Sequence, residues 1–283
     1  MKADCHMHML LDGFDWKASI ARHKEAPHIP TIRVALDIYR KQGYTYLRDG
    51  GDRWGVGAAA RKLSQEYGIT NRTPLAPLCK AGHYGSFIGA VYENFREYAT
   101  LVQLHRKNGA DFIKIMISGL MDFDHAGVLT EEGLSPQEIR ELIHIAHEEG
   151  FAVMAHCNGA RTMEAAADAG VDSIEHGAYA DGDALAAMVE KKTIWTPTLS
   201  TIANLRGTGR FNESAVAAIF DSAAENICRF AAIGGILAPG SDAGAWGVPH
   251  GADTEHALLK NLLGAEADAI LLCGTNAVIE RFK

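Results

Sequence analysis

The segment Asp4-Cys5-His6-Met7-His8-Met9, near the start of the chain, places two histidines two residues apart. Side chains alternate between the two faces of a β-strand, so His6 and His8 would project to the same side. Cys5 and Met7 would project to the opposite side. Two imidazoles held on one rigid strand are half of a metal site. Because two exposed histidines in a frayed terminus would give the same pattern, the other ligands must be sought elsewhere in the chain.

Composition and charge restrict the kind of partner. The chain has 283 residues, with 27 lysines and arginines against 35 aspartates and glutamates, and a formal charge of −8. This sign argues against nucleic acid or an anionic membrane as the main partner, so a small molecule is expected. The sequence shows no run of about 18 apolar residues, no signal-peptide core and no CxxC pair. These features predict a cytoplasmic protein with no membrane span.

A repeated order of amphipathic helix, glycine and short apolar strand runs through the chain. Glycine just past a helix end is a common C-terminal cap. Besides the opening segment, seven stretches are predicted as strands: 44–48, 74–80, 111–117, 151–156, 171–176, 193–199 and 236–238. Eight strands alternating with helices predict a single (β/α)8 barrel (TIM barrel) domain over residues 1–283 rather than an open sheet. The least regular stretches, 12–30 and 200–212, would lie over the mouth of that barrel.

One helix is predicted with both its cap and its buried face. Over residues 136–149, Ser135 and Glu138 form a capping box, and Pro136 suits the first turn. The apolar stripe that would face the core consists of Ile139, Leu142, Ile143 and Ala146.

Polar residues that could carry chemistry stand in or just after five of the predicted strands. Barrel active sites are built at the carboxyl ends of the strands. The candidates are His6, His8, Lys114, His156, His176 and Asp242. A single strand histidine is more often a hydrogen-bonded core residue, but chance would seldom place all six at equivalent positions.

Lys114 carries the most specific prediction. Alternation along the strand puts Ile113 and Ile115 toward the helices and leaves Lys114 inside the barrel. Burying an unpaired ammonium ion is costly, and desolvation lowers the pKa of a lysine. A neutral buried amine can react with CO2 to give a carbamate, a carboxylate-like group able to bridge two metals. The alternative is a lysine that forms an ion pair with an acid such as Asp242.

Five motifs, in order along the chain, resemble the amidohydrolase superfamily. They are His-x-His at 6–8, Phe-Ile-Lys-Ile-Met at 112–116, Ala-His-Cys-Asn-Gly at 155–159, Asp-Ser-Ile-Glu-His-Gly at 172–177 and Gly-Ser-Asp-Ala-Gly at 240–244. More narrowly, the chain resembles the metal-dependent hydrolases grouped with imidazolonepropionase-like proteins and bacterial prolidases.

This resemblance implies a (β/α)8 barrel with two divalent metals, usually zinc. It assigns His6, His8 and Asp242 to one metal. It assigns His156 and His176 to the other, with carbamylated Lys114 between the two.

The resemblance extends to the substrate side. The segment Ala81-Gly82-His83-Tyr84-Gly85 is similar to the family's Gly-Gly-His-Gly, in which the histidine approaches the substrate. Pro249-His250-Gly251 is similar to the Pro-His-Gly that follows the metal aspartate. These motifs and a nearby tyrosine suggest His83, Tyr84, Tyr179 and His250 as substrate-binding residues. A glycine-rich turn with an exposed histidine, or a tyrosine packed under a loop, would explain the same residues without a function.

Most relatives flank the barrel with a β-sandwich. Because His-x-His stands at the sixth residue here, the sandwich is expected to be missing: either the barrel stands alone or the flanking strands were lost. The oligomeric state is left open, including a homo-oligomer.

The implied reaction is hydrolysis of an amide or dipeptide C–N bond by a hydroxide held between the metals. Asp242 would act as general base and acid, and His83 would stabilise the oxyanion. A lactonase, a single-metal deaminase and an inactive metal-binding barrel are the alternatives. Residues in the predicted mouth loops that could bind a substrate carboxylate are Arg22, His23, Arg206 and Arg210.

Overall fold

Ten strands and eleven α-helices make up the computed structural model, which describes residues 1–283. The strands are β1 Lys2–Met7, β2 Tyr44–Asp49, β3 Thr70–Arg72, β4 Leu78–Lys80, β5 Ala90–Tyr92, β6 Ile113–Met116, β7 Val153–Cys157, β8 Ser173–His176, β9 Ile194–Thr196 and β10 Ile236–Leu237. The helices are α1 Trp16–His23, α2 Ile29–Lys41, α3 Val56–Ser64, α4 Phe95–Lys107, α5 Pro136–Glu148, α6 Ala160–Asp168, α7 Gly182–Glu190, α8 Ser200–Ala203, α9 Glu213–Ala232, α10 Thr254–Leu263 and α11 Ala267–Arg281.

All pairs of named strands are parallel. They form a three-stranded sheet in the order β1-β2-β3 and a seven-stranded sheet in the order β10-β9-β8-β7-β6-β4-β5. The predicted α/β class with parallel strands is therefore confirmed.

Backbone hydrogen bonds connect the two sheets at two places. At the first, the Cys5 amide donates to the Pro239 carbonyl at 2.8 Å, and the Asp242 amide donates to the His6 carbonyl at 2.7 Å. At the second, the Asp111 amide before β6 donates to the carbonyl of Thr73, just after β3, at 3.0 Å. The first connection places the end of β1 beside the segment that follows β10.

The third predicted strand, 74–80, is wrong in its bounds. Within this stretch only β4, Leu78–Lys80, is a strand; β3 ends before it at Arg72, and β5 is an extra strand that pairs with β4. Between β3 and β4, Leu75 adopts a φ of +64°, and Pro74 has no amide proton to donate to a ladder. Both features interrupt strand pairing at this point.

Two stretches that look irregular in sequence contain short helices. The Asp15 side chain accepts hydrogen bonds from the amides of Lys17 and Ala18 and so caps α1. Helix α8 lies within 200–212. Short helices of this kind are held by contacts with the rest of the fold, which periodicity does not reveal.

The packing of β6 confirms the predicted division of its two faces. Ile113, Ile115 and Ile117 belong to the largest apolar cluster, together with the predicted stripe of α5. The capping box of Ser135 and Glu138 is present. Lys114 is 1% exposed and points to the other side, toward the histidine of β1.

One stretch, Thr254–Arg281, is long and apolar enough by length and composition to cross a membrane. This test averages hydropathy and does not require a continuous apolar run, so the expectation that no segment spans a membrane stays a prediction. In the fold this stretch is two helices separated by a 3-10 turn at Gly264–Glu266, and Gly274 of α11 packs directly against the β10 backbone. Core helices of soluble proteins share this composition.

Candidate metal centre

Three ligand atoms from opposite ends of the chain converge in one small buried space. The Nε2 atom of His6 lies 3.4 Å from Nε2 of His8 and 3.5 Å from Oδ1 of Asp242. His8 Nε2 lies 3.4 Å from the same oxygen. Ligands about 2.1 Å from a tetrahedral zinc ion are separated by about 3.4 Å. The triangle therefore has the dimensions of one face of such a site.

The other three predicted ligands lie directly beside this triangle. Lys114 Nζ is 3.4 Å from His6 Nε2. The His176 ring centroid lies 5.0 Å from that of His6 and 4.6 Å from that of His156. The fold thus brings all six residues, which span 237 positions of sequence from His6 to Asp242, into one cluster.

Hydrogen bonds to oxygen atoms that can only accept fix which nitrogen of two imidazoles is free. His6 Nδ1 donates to Oε2 of Glu175 at 2.8 Å, and His156 Nε2 donates to the carbonyl of Gly119 at 3.1 Å. These bonds leave Nε2 of His6 and Nδ1 of His156 without a proton, so each of these rings can offer one lone pair to a cation. His176 Nδ1 contacts the Thr198 hydroxyl at 2.7 Å, which orients the third ring.

The environment keeps the imidazoles neutral. Burial, reinforced by the nearby Lys114 ammonium, lowers the pKa of His8 and that of His156 to about 3. Burial also lowers the pKa values of His6 and His176 well below the usual 6.5. Desolvation lowers the pKa of Lys114 as well, and it raises the pKa of Asp242. Neutral imidazoles and a carboxylate are the donors that zinc and similar divalent cations accept, so these residues fit such a cation.

Backbone strain is concentrated at the same place. His176, Thr198 and Asp242 have φ values of +68°, +51° and +56°. Residues other than glycine seldom adopt this left-handed conformation, which costs about 1–3 kcal/mol each and is found most often at functional sites. Two of the three are proposed ligands, and the third orients one of them.

Two buried charges beneath the cluster were not identified from the sequence. Arg48 and Glu175 are both fully buried, and an Arg48 guanidinium nitrogen donates to Oε1 of Glu175 at 2.8 Å. Arg48 Nε also donates to the Cys5 carbonyl at 2.6 Å. The other carboxylate oxygen of Glu175 accepts the hydrogen bond from His6 Nδ1, so the ion pair positions the His6 ring. The available signal was an arginine inside the predicted strand 44–48 and a glutamate inside the predicted strand 171–176.

Replacing Glu175 with glutamine tests this positioning role. The Glu175→Gln variant leaves Arg48 without its buried counter-charge and weakens the hydrogen bond that orients His6. We expect the affinity for Zn²⁺ to fall about 10- to 100-fold and the melting temperature to drop, because a broken buried ion pair costs about 3–5 kcal/mol. Competition with a chromogenic chelator measures the affinity, and exposed Glu190→Gln is the control. Unchanged zinc affinity would contradict the role.

A glycine is also required here. A Cβ atom on Gly50, the residue after β2, would lie 2.2 Å from Cε1 of His8. Only glycine lets the backbone approach the ring so closely. The sequence signal was the Gly50-Gly51 pair directly after a predicted strand.

A mostly apolar cavity of about 390 Å³ opens above the cluster. Among its lining residues are five of the six proposed ligands: His8, Lys114, His156, His176 and Asp242. Tyr84 is the one predicted substrate-binding residue that lines it, with its ring centroid 4.8 Å from that of His156.

The other three predicted substrate-binding residues lie outside the cavity lining. His250 Nδ1 contacts the Tyr39 hydroxyl at 3.2 Å, and its Nε2 contacts the Leu11 carbonyl at 2.8 Å. His83 Nδ1 lies 3.6 Å from a carboxylate oxygen of Glu131. Tyr179 packs against the largest core cluster.

Comparison with known proteins supports the resemblance seen in the motifs. No family model matches the chain. The chain is 26% identical to ochratoxinase from Aspergillus niger over 242 positions, which cover 70% of this chain and 47% of that protein. The match therefore spans about half the length of this curated relative.

Solved structures show the same fold. A Xaa-Pro dipeptidase with bound methionine superposes with a TM-score of 0.79 at 21% identity, covering 99% of this chain and 75% of that chain. An amidohydrolase gives a TM-score of 0.79 at 21% identity, covering 99% of this chain and 74% of that chain. The chain is thus similar in sequence to an ochratoxinase and in fold to a dipeptidase and an amidohydrolase, and the resemblance predicted from the motifs is confirmed.

Proposed function

We propose that this protein is a metal-dependent hydrolase that cleaves the C–N bond of a small amide, such as a dipeptide or an acylated amino acid. One observation carries the proposal: His6, His8 and Asp242 converge with the spacing of a zinc site at the base of a substrate-sized cavity. The relatives named ochratoxinase, Xaa-Pro dipeptidase and amidohydrolase support the same class of reaction.

We further propose that the two sheets close into the predicted (β/α)8 barrel as a single domain. The backbone hydrogen bonds from β1 to the segment after β10, and from Asp111 to Thr73, support closure because they connect the sheets on both sides. In this arrangement β3 and β4 count together as the third barrel strand. The carboxyl ends of the strands then meet at the proposed ligands.

His6, His8 and Asp242 would hold one divalent cation, and His156 and His176 would hold a second. Lys114 would lie between the two as a carbamate, formed when the neutral amine adds to the carbon of CO2 and loses a proton. When bound, such cations acidify water and polarise a carbonyl group.

The residues of the chain supply positioning and proton transfer. Asp242 lines the cavity and would accept the proton lost by the attacking water as its oxygen bonds to the carbonyl carbon. It would then give that proton to the nitrogen as the C–N bond breaks. Tyr84 remains neutral because burial raises the pKa of its phenol, so it would serve as a hydrogen-bond donor in the cavity. The role of His83 in stabilising the oxyanion stays a prediction.

A substrate panel tests the reaction. Purified protein loaded with Zn²⁺ should hydrolyse Xaa-Pro dipeptides or N-acyl amino acids, with release of the amine measured by ninhydrin. If only lactones are hydrolysed, the protein is a lactonase and the proposal fails. If the protein only deaminates its substrates, it is a deaminase and the proposal fails as well. Full metal occupancy without any turnover would favour a metal-binding protein without catalysis.

Metal removal is expected to lower stability. His6 and His8 lie on β1 and Asp242 follows β10, so a bound cation would tie these segments together, and its binding free energy adds to folding. We expect dialysis against a chelator to lower the melting temperature by about 5 °C or more, with recovery on adding Zn²⁺. Differential scanning calorimetry measures this, and an unchanged melting temperature would count against a metal at this position.

A further inference from the structure

The walls of the cavity above the metal centre are unusually rich in aromatic side chains. Seven of them line it: Phe14, Trp16, Tyr84, Phe87, Phe123, Phe211 and Trp246. They come from separate segments, and contacts such as the T-shaped pair of Trp16 and Phe87, 5.5 Å between centroids, hold them in place. Flat apolar groups bind well to such surfaces because they bury area and stack on the rings.

Only one charged side chain lines these walls away from the proposed ligands. It is Arg210, whose guanidinium carbon lies 4.1 Å from the ring centroid of Trp246 and 5.5 Å from that of Phe211. Stacking on an aromatic face leaves the N–H groups at the edge of the guanidinium plane available to a ligand. No carboxylate of the chain pairs with Arg210, so its positive charge is uncompensated by an ion pair.

The other loop residues that could bind a carboxylate are engaged elsewhere. Arg22 lies 3.6 Å from Asp12. His23 is buried, and its Nδ1 accepts a hydrogen bond from the His28 amide. Arg206 stacks on Phe220 at 4.7 Å and does not line the cavity.

The loop that carries Arg210 is anchored on both sides. The Glu213 carboxylate accepts hydrogen bonds from the backbone amides of Gly207 and Gly209, at 2.8 and 2.9 Å. The Asn212 amide donates to Asp124 at 2.8 Å, which connects this loop to the one after β6. A loop fixed in this way holds its arginine in place before the ligand arrives and lowers the entropy cost of binding.

We propose that Arg210 binds a free carboxylate of the substrate while the aromatic walls hold a flat apolar group. This rests on the proposed function and narrows it: the substrate class is an amide that carries both groups, as an N-acyl amino acid with an aromatic side chain does. Both groups lie on the amine half of such a substrate, and its amide would lie over Asp242 and the histidines, which line the same cavity.

The test uses two ligands that contain no bond to hydrolyse, 3-phenylpropanoate and 3-phenylpropanol, which differ in the carboxylate. Their dissociation constants are measured by calorimetry on zinc-loaded wild type, Arg210→Met and Arg206→Met. We expect the Arg210→Met substitution to weaken the binding of 3-phenylpropanoate about 10- to 100-fold and to leave the affinity for 3-phenylpropanol unchanged. Arg206→Met is the matched control and should bind both like wild type. Equal weakening of both ligands, or no effect of Arg210→Met, would overturn the assignment.

Hydrolysis of N-acetyl-L-phenylalanine and N-acetyl-L-phenylalaninamide, assayed on the same three proteins, separates this inference from the proposed function. Arg210→Met should raise KM for the carboxylate substrate only. Hydrolysis by a wild-type protein that binds 3-phenylpropanoate no more tightly than 3-phenylpropanol would overturn the substrate class alone. Absence of hydrolysis with the preference intact would overturn the hydrolase and leave the carboxylate site standing.

Discussion

The Asp242→Asn variant is expected to lose nearly all hydrolytic activity, with kcat/KM falling by about 10³-fold or more. The amide of asparagine cannot accept the proton of the attacking water, and its neutral oxygen is a weaker metal ligand than a carboxylate. The side chain is nearly the same size, so the fold should survive. Initial rates on the best amide of the panel, with circular dichroism of both proteins, measure the effect.

A nearby aspartate provides the control for this variant. Asp253 lies just before α10, outside the cavity, and pairs with Lys2 through an exposed carboxylate. Asp253→Asn therefore removes the same charge without touching the site, and it should keep wild-type rates. Full activity in Asp242→Asn would remove this residue from the mechanism.

The Lys114→Ala variant is expected to lose activity by about 100-fold or more, together with much of its bound metal. The truncated side chain can form no carbamate, so the two proposed metal positions lose the group between them. The space it leaves is buried and lies beside His6. A small carboxylic acid could occupy that space and provide two oxygens in the same region.

Chemical rescue distinguishes the carbamate from a simple structural lysine. Propionate should restore part of the activity and metal content of Lys114→Ala, whereas propanamide, of the same shape but neutral, should restore neither. Equal behaviour of the two additives would favour the alternative in which Lys114 only forms an ion pair with Asp242.

Simple sequence rules were sufficient to nominate the proposed ligands. Alternation along a strand predicted that His6 and His8 share a face, and the same rule placed Lys114 opposite its isoleucine neighbours. Parallel strands bring their carboxyl ends to one edge, so residues at equivalent strand positions become neighbours. The structure brings these residues together as those rules require.

The parts that the sequence did not reveal depend on register and on loops. Arg48 and Glu175 are 127 positions apart, and only the tertiary arrangement of β2 and β8 makes them a pair. His250 lies in a family-like motif, but Tyr39 and Leu11 occupy both its nitrogens. The interrupted third strand reflects a backbone conformation at Leu75 that hydropathy does not encode.

The metal content of the wild-type protein tests the central claim most directly. The protein should be purified without chelators, equilibrated with Zn²⁺, freed of unbound ions by gel filtration and measured by elemental analysis. We expect about two divalent ions per chain, and a marked loss of metal in a His6→Asn, His8→Asn double variant. A wild-type protein that retains no metal, or a double variant that retains as much as wild type, would contradict it.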